Sequence, residues 1–403
     1  MLNSNLDVLP ENAFPRLAEL IAGITPAQSP ILLSLGEPGH PMPDFVGDIL
    51  QAHQSDYTKY PPIDGTPGFR LAAAGWLNRR FGLHACPVNP DGGVLPLNGT
   101  REGLFSIAFI VTPPRKADKQ PAILMPNPFY QCYAGAAAAA GAEAVYLDAS
   151  TQTGFLPDLD RLSHELLERT ALFYLCSPAN PQGAVAGLDY LKRLIALARK
   201  FDFVIAFDEC YSEIYLDTPP PGGLQAAQML AGERDGAGHP FANLLVFNSL
   251  SKRSNLAGLR SGLIAGDPML LAKFRQFRAY VGPTNPLPAD AVATAAWSDE
   301  AHVIANRALY REKFTIAEDI LTGHFDYYTP AGGFFLWLNV GDSEAAAKKL
   351  WREAGVKVLP GKYLSRTQPD GTNPGAQYIR VALVLERDSI AEGLRRIRDV
   401  LSG

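Results

Sequence analysis

Short apolar runs alternate with amphipathic segments through the middle of the chain. The runs at 122–125, 144–147, 172–176, 203–207, 244–248 and 262–265 are bounded by turn residues and predict buried strands. Between two of them, Leu188–Phe201 repeats its apolar residues at intervals of three and four, which predicts a helix. Strand–helix–strand alternation implies crossover units and a mostly parallel sheet covered on both faces. The ends read differently. The first 50 residues carry a Pro/Gly-rich run, LGEPGHPMP, and no strand–helix repeat, and two long helical patterns, 291–321 and 344–354, lie in the C-terminal third. They are separated by the strand-like GGFFLWLNV, and a further strand, QYIRVALV, precedes a final helix. The predicted architecture is α/β: a large domain over 51–289 and a smaller α+β domain built from 1–50 and 290–403.

In parallel sheets, ligands sit beyond the carboxyl ends of the strands. Three polar motifs fall at such ends: SPANP, DECY and SLSK. Lys252 follows the apolar run 244–247, with hydroxyls at Ser249 and Ser251 and a guanidinium at Arg260. An amine able to condense with an aldehyde, beside groups suited to a phosphate dianion, matches the needs of pyridoxal 5′-phosphate. Asp208 ends another strand; a carboxylate there suits a metal ligand, a general base or a partner for a ring nitrogen. Tyr211 and Asn180 are candidate donors to a phenolate oxygen. Asn98-Gly99-Thr100 turns an extended run into a helical pattern, whose first N–H groups make a candidate anion site. Tyr130 and Tyr133 are the aromatics available to cover a pyridine ring, and Arg380, inside an apolar strand, suits capture of a carboxylate.

Composition narrows the alternatives. A net charge of −5, without a block of basic residues, argues against a nucleic-acid binder, including a regulator with a DNA-reading module. The start of the chain lacks a basic segment followed by an apolar one, and no apolar stretch is long enough for a bilayer, so a cytoplasmic location is expected. The four cysteines show no CxxC spacing and the histidines no HExxH, so reduced thiols and no metal site are expected. Ser249-Leu250-Ser251-Lys252 also fits the SxxK of serine β-lactamases, but no KTG follows and Ser298-Asp299 is completed by Glu300 rather than Asn.

In order along the chain, GEPGHP, KYPPIDGTPGFR, NGTREGLF, PNPFYQCY, SPANPQG, DECYSEIY and SLSKRSNLAGLRSG resemble the class I/II aminotransferases of pyridoxal-enzyme fold type I. The similarity spans essentially the whole chain and implies a seven-stranded, mostly parallel large-domain sheet. It assigns Lys252 to the lysine that condenses with the cofactor and Asp208 to the pyridinium partner. Asn180 and Tyr211 match the phenolate pair; Ser249, Ser251 and Arg260, with Gly99, Thr100 and Arg101, match the phosphate site. Tyr130 matches the stacking aromatic, Arg380 the α-carboxylate arginine and Gly36 a glycine approaching the substrate. Tyr60 resembles a tyrosine that reaches the phosphate of a neighbouring subunit, which implies a homodimer with shared sites.

Within that family, FPRLAELIAGI, VLPLNGTREGLF, PNPFYQCYAGAA and AAWSDEAHV are most similar to bacterial succinyldiaminopimelate transaminases. The tract VGPTNPLP departs from that pattern. The implied reaction moves an amino group between N-succinyl-LL-2,6-diaminopimelate and 2-oxoglutarate. A general aspartate, alanine or aromatic aminotransferase and a cysteine-S-conjugate β-lyase use the same apparatus. An acidic succinyl arm requires a second cation, for which Arg16, Arg101 and Lys362 are candidates.

Overall fold

The computed structural model describes residues 4–7, 9, 11–230 and 238–402. Its main sheet contains β1 (Val94–Leu97), β2 (Ala122–Asn127), β3 (Glu143–Asp148), β4 (Thr170–Cys176), β5 (Val204–Asp208), β6 (Leu244–Ser249) and β7 (Gly262–Gly266). The spatial order is β1-β7-β6-β5-β4-β2-β3. Only β7 runs antiparallel to its neighbours; every other pairing is parallel.

The alternation of side chains along a strand explains why the runs are apolar throughout rather than at every second position. Phe173 and Leu175 of β4, Ile205 and Phe207 of β5, and Leu244 and Val246 of β6 enter one core. Leu172 and Tyr174, Ala206, and Leu245 and Phe247 enter the core on the opposite face. Helices cover both. Leu188–Phe201 buries Leu191, Leu194, Ile195 and Ala198 and stops where Asp202 turns left-handed. Pro67–Phe81 begins with Thr66 accepting from the Phe69 amide and Pro67 in its first turn, where a missing N–H costs nothing.

The smaller unit is a three-stranded antiparallel sheet, with β10 (Tyr378–Ala382) between β8 (Phe335–Asn339) and β9 (Leu359–Pro360). The N-terminal arm joins it: Ile31 and Leu32 pair in parallel with Val356 and Lys357. Helices Ala301–Leu321, Ser343–Ala354 and Arg387–Ser402 pack against these strands through a separate core.

The 291–321 pattern, read from the sequence as one helix, is two: Leu287–Ser298 and Ala301–Leu321. The break has a local cause. The Asp299 carboxylate accepts from the His302 amide at 3.0 Å, a side-chain bond that competes with helix continuation. The first of these helices packs into the large-sheet core through Val292, Ala293, Ala296 and Trp297, although the sequence reading grouped residues from 290 with the smaller domain.

Trp297 and Trp76 lie 4.7 Å apart, both wholly buried, and the Arg253 guanidinium sits 5.2 Å and 5.4 Å from their rings. Arg253 also donates to the carbonyl of Ala296 at 2.6 Å and to Glu300 at 2.7 Å. The residue after Lys252 is thus bolted to the join between the two helices. Trp297→Ala is expected to lower stability by about 3–5 kcal/mol through lost burial and a residual cavity. Denaturant unfolding of the cofactor-free protein measures this; a loss below about 1 kcal/mol contradicts the packing role.

Candidate active site

The carboxyl ends of β4, β5 and β6 open into a cavity of about 450 Å³. Its walls include Lys252, Asp208, Tyr211, Asn180, Tyr130, Thr100, Arg101, Ser249, Ser251, Arg260, Gly36 and Arg380. These residues come from elements spread from the N-terminal arm to the last strand, and the sheet topology gathers them. Gly99 adjoins the cavity through Arg260. Tyr60, whose assigned role is in a neighbouring subunit, stands fully exposed outside it.

Lys252 lies in the short helix Leu250–Arg253 that follows β6, and its Nζ donates to the Gly36 carbonyl at 2.6 Å. Burial, helped by the Arg380 charge and opposed by Cys210 and Glu37, brings its pKa down to about 8. A free amine is therefore accessible near neutral pH. Gly36 is constrained as well: a Cβ there would lie 2.6 Å from the Phe335 ring.

Asp208 is the last residue of β5, one position beyond the predicted strand, so it is fixed by the ladder rather than by a loop. Its carboxylate accepts from the Tyr133 hydroxyl at 2.6 Å and from the Cys210 amide at 3.3 Å. Burial nevertheless raises its pKa, against the lowering effect of these hydrogen bonds and of the Lys252 charge. Of the two tyrosines left open by the residue pattern, Tyr133 is stacked on Tyr174 and bonded to Asp208, while Tyr130 lines the cavity. Arg101 Nε donates to the Tyr130 hydroxyl at 2.5 Å.

Arg380 sits centrally on β10. Its two terminal nitrogens donate to the Asn180 side-chain oxygen at 3.1 Å and the Ser34 carbonyl at 2.9 Å, and its Nε is buried without a partner. Burial lowers its pKa to about 10, and no carboxylate pairs with it among the described residues. An unpaired, desolvated guanidinium on a cavity wall is a receptor for an anion.

Opposite the amine, the helix Thr100–Val111 begins at Gly99, whose φ is +74°. A Cβ at Gly99 would strike the Arg260 guanidinium, so the close approach of that cation to the helix start needs glycine. Arg260 itself is held by donation to the Ala257 and Asn98 carbonyls. The loop 282–286, within the tract VGPTNPLP singled out in the sequence, touches it: Asn285 donates to the Arg260 carbonyl at 2.6 Å.

The sequence reading chose Asp208, at the strand end, over its neighbour Glu209 in DECY, and the structure places the two differently. Glu209 is buried away from the cavity, accepting from the Gly223 amide at 2.7 Å and from Asn248 at 3.3 Å, and burial raises its pKa to about 7. Alternation along the strand is the signal that parts them. Glu213, in the same motif, binds Arg80 at 2.6 Å and Arg307 at 3.0 Å, tying the large-domain helix Pro67–Phe81 to Ala301–Leu321. Ser254, His302 and Asp299 follow one another at 2.7 Å and 2.5 Å in the order of a hydrolytic relay, but Ser254 is wholly buried and lines no described cavity.

Lys252, Asp208, the Arg260 cradle and Arg380, whose buried Nε has no partner, fit pyridoxal 5′-phosphate and an amino-acid carboxylate. The cavity has the makeup of a pyridoxal-enzyme site on a mostly parallel α/β sheet. Residues 29–397 match the family model described as aminotransferase class I and II, and the chain belongs to that family, whose members depend on pyridoxal phosphate. An aminotransferase structure from Neisseria meningitidis is 42% identical over 99% of this chain and 100% of its own, with a TM-score of 0.92. The 4-dedimethylamino-4-oxo-anhydrotetracycline transaminase of Streptomyces rimosus is 34% identical over 91% of this chain and 92% of its own. The LL-diaminopimelate aminotransferase of Syntrophobacter fumaroxidans is 30% identical over 98% and 97%. A probable N-succinyldiaminopimelate aminotransferase structure from Thermus thermophilus, 24% identical with a TM-score of 0.83 over 97% and 100% of the two chains, shares the fold.

Two predictions follow from the geometry. Gly99→Ala should weaken binding of pyridoxal phosphate at least tenfold, read by fluorescence titration of the apoprotein; an unchanged Kd removes Gly99 and Arg260 from the cradle. The second concerns Lys252, whose folded pKa of about 8 lies below its ordinary value of 10.5. The folded state holds fewer protons on this amine than the unfolded chain between those values, so the penalty is complete below about pH 8 and disappears toward 10.5. Apo Lys252→Met should therefore melt higher than wild type at pH 7, with the gap narrowing between pH 8 and 10.5. A gap that widens over that range refutes the assignment.

Proposed function

We propose that this aminotransferase exchanges an amino group between N-succinyl-LL-2,6-diaminopimelate and 2-oxoglutarate, as a step toward lysine and diaminopimelate. The reading rests on two guanidinium groups, Arg380 and Arg101, lining one cavity that continues into a second of about 830 Å³. Both residues, with Tyr130, Asn180, Arg260 and Phe14, line the two spaces together. A donor with an α-carboxylate at one end and a long acidic arm at the other meets a cation at each. Of the three candidates for the distal cation, Lys362 is paired with Glu344 at 2.5 Å, and Arg16 lies over Tyr363 and beside Glu11. Arg101 is the one of the three that lines either cavity, and it supports the acidic donor best.

In this reading Arg380 grips the α-carboxylate, and Asn180, whose side-chain oxygen it holds, turns its amide nitrogen the other way. Bound pyridoxal phosphate supplies an electron sink for the carbanion equivalent at the substrate α-carbon. Lys252, neutral above about pH 8, would take the α-proton as base and give it back as acid. Asp208, fixed by Tyr133, would hold a protonated ring nitrogen, and Tyr130 would cover the ring. Donor and acceptor then use the site in turn, a ping-pong sequence. The second reading, LL-diaminopimelate itself as donor, is favoured by the name of the Syntrophobacter relative. Its distal end is a zwitterion, an ammonium beside a carboxylate, and offers Arg101 less net negative charge than the succinylated arm, which carries two carboxylates and no ammonium.

We also propose a cytoplasmic homodimer in which Tyr60 serves the partner's site. Tyr60 and Tyr280 stand exposed on the single chain, and no helix of the described residues is long and apolar enough to cross a membrane.

Single-turnover spectroscopy against succinyl-diaminopimelate, LL-diaminopimelate, glutamate, aspartate, alanine and phenylalanine tests the donor. The succinylated donor should react fastest, Lys252→Ala should show no turnover, and Arg380→Gln should lose about a hundredfold in kcat/KM. Arg101→Gln should raise KM for the succinylated donor about tenfold more than for alanine. Equal KM changes for both donors would end the distal-cation reading, and a faster LL-diaminopimelate reaction would select the second one. Pyruvate release from a cysteine conjugate without an acceptor would mark a lyase.

A further inference from the structure

The helix Ala301–Leu321 places Asn306, Tyr310 and Lys313 on one face, at intervals of four and three. Asn306 reads the backbone of the Lys252 segment. Its Nδ2 donates to the carbonyls of Lys252 at 3.3 Å and Arg253 at 3.4 Å. Its Oδ1 accepts from Asn255 Nδ2 at 3.1 Å and lies 2.7 Å from His40 Nδ1. His40 belongs to the N-terminal arm, four residues after the glycine whose carbonyl receives the Lys252 amine. Its other nitrogen, Nε2, lies 2.6 Å from Lys313 Nζ. Lys313 is almost wholly buried.

An amide oxygen can only accept and an ammonium can only donate. The hydrogen bonds therefore run one way: Lys313 Nζ–H to Nε2, and Nδ1–H to Asn306 Oδ1. We propose that His40 is a positioning residue, held as the neutral Nδ1–H tautomer, that locks the Asn306 amide and through it the main chain at Lys252. The rest of its surroundings agree with this. The Tyr310 ring lies 4.4 Å from the imidazole, Glu386 faces both His40 and Lys313, and Glu312 acts on Lys313. Burial lowers the pKa of His40 and brings Lys313 down to about 8, while Glu386 opposes both shifts. A second proton on His40 would set Nε2–H against the Lys313 ammonium, so the pair keeps one positive charge across the neutral range. Asn306 with its amide reversed would place an oxygen against two carbonyls, which the fixed tautomer forbids.

The inference rests on Lys252 being the reactive amine, and its test separates the two ideas. Holoenzyme labelled with ¹⁵N in the histidine rings should show a signal, absent from His40→Phe, with the Nδ1-protonated pattern from pH 6 to pH 9. Kinetics supply the positioning readout. Asn306→Ala and His40→Phe should lower kcat about tenfold while the donor KM stays within about threefold, because a displaced amine slows chemistry more than binding. His40→Gln, with one donor and one acceptor, should recover most of the rate. An Nε2-protonated His40, or one titrating near 6.5, overturns the tautomer assignment even if a variant folds poorly. Unchanged kcat in Asn306→Ala overturns the positioning role. If Lys252→Ala remains active while the His40 signal is as expected, the error lies in the choice of amine.

Discussion

Desolvation of charge at the carboxyl ends of the parallel strands is the constraint on which the site depends. Lys252, Asp208 and Arg380 would each be unremarkable in water. Under the lid formed by β10 and the N-terminal arm, the amine becomes easier to deprotonate, the carboxylate becomes harder to ionise, and the guanidinium keeps an unpaired Nε. All three are out of balance in the direction that binding a cationic ring and an anionic substrate would correct. Binding energy and chemical activation thus come from one source: groups brought out of water before their partners are present.

Such a site needs a frame that resists collapse. Arg253, packed against two adjoining tryptophans, anchors the residue after Lys252, and Asn306 binds the carbonyls of both. Glu213, shared by Arg80 and Arg307, fixes the loop behind Tyr211 to both a large-domain helix and the long helix Ala301–Leu321. These contacts are buried ion pairs and hydrogen bonds, weak evidence for stability in themselves. Their value is directional: they set where the reactive groups stand relative to each other.

Much of this was legible in the chain, and the physical reason is periodicity. Strands buried on both faces appear as unbroken apolar runs, and the residue that ends each run falls at the mouth of the sheet. Asp208 and Lys252 could be found that way. Arg380 stood out as a lone charge inside an apolar strand. The parts that could not be read depend on long-range neighbours. Nothing local shows that His40 meets Lys313, 273 positions away, or that Arg101 rather than Lys362 reaches the cavity. The break at Asp299 was not read within a strong helical pattern; it is made by the bond from the His302 amide to the Asp299 side chain.

The adjacent acids Asp208 and Glu209 show how far the same logic extends. Both are buried, and burial raises the pKa of each. Composition treats them alike, yet Asp208 lines the cavity and Glu209 does not. Glu209 is satisfied by the Gly223 amide and Asn248, contacts internal to the fold. Asp208 is braced by Tyr133 and the Cys210 amide but still lies within the field of the Lys252 amine. A raised carboxyl pKa alone therefore does not mark a functional acid. The discriminating feature is a carboxylate oriented by neutral donors on one side and open to a ligand cation on the other, and in this motif that describes Asp208.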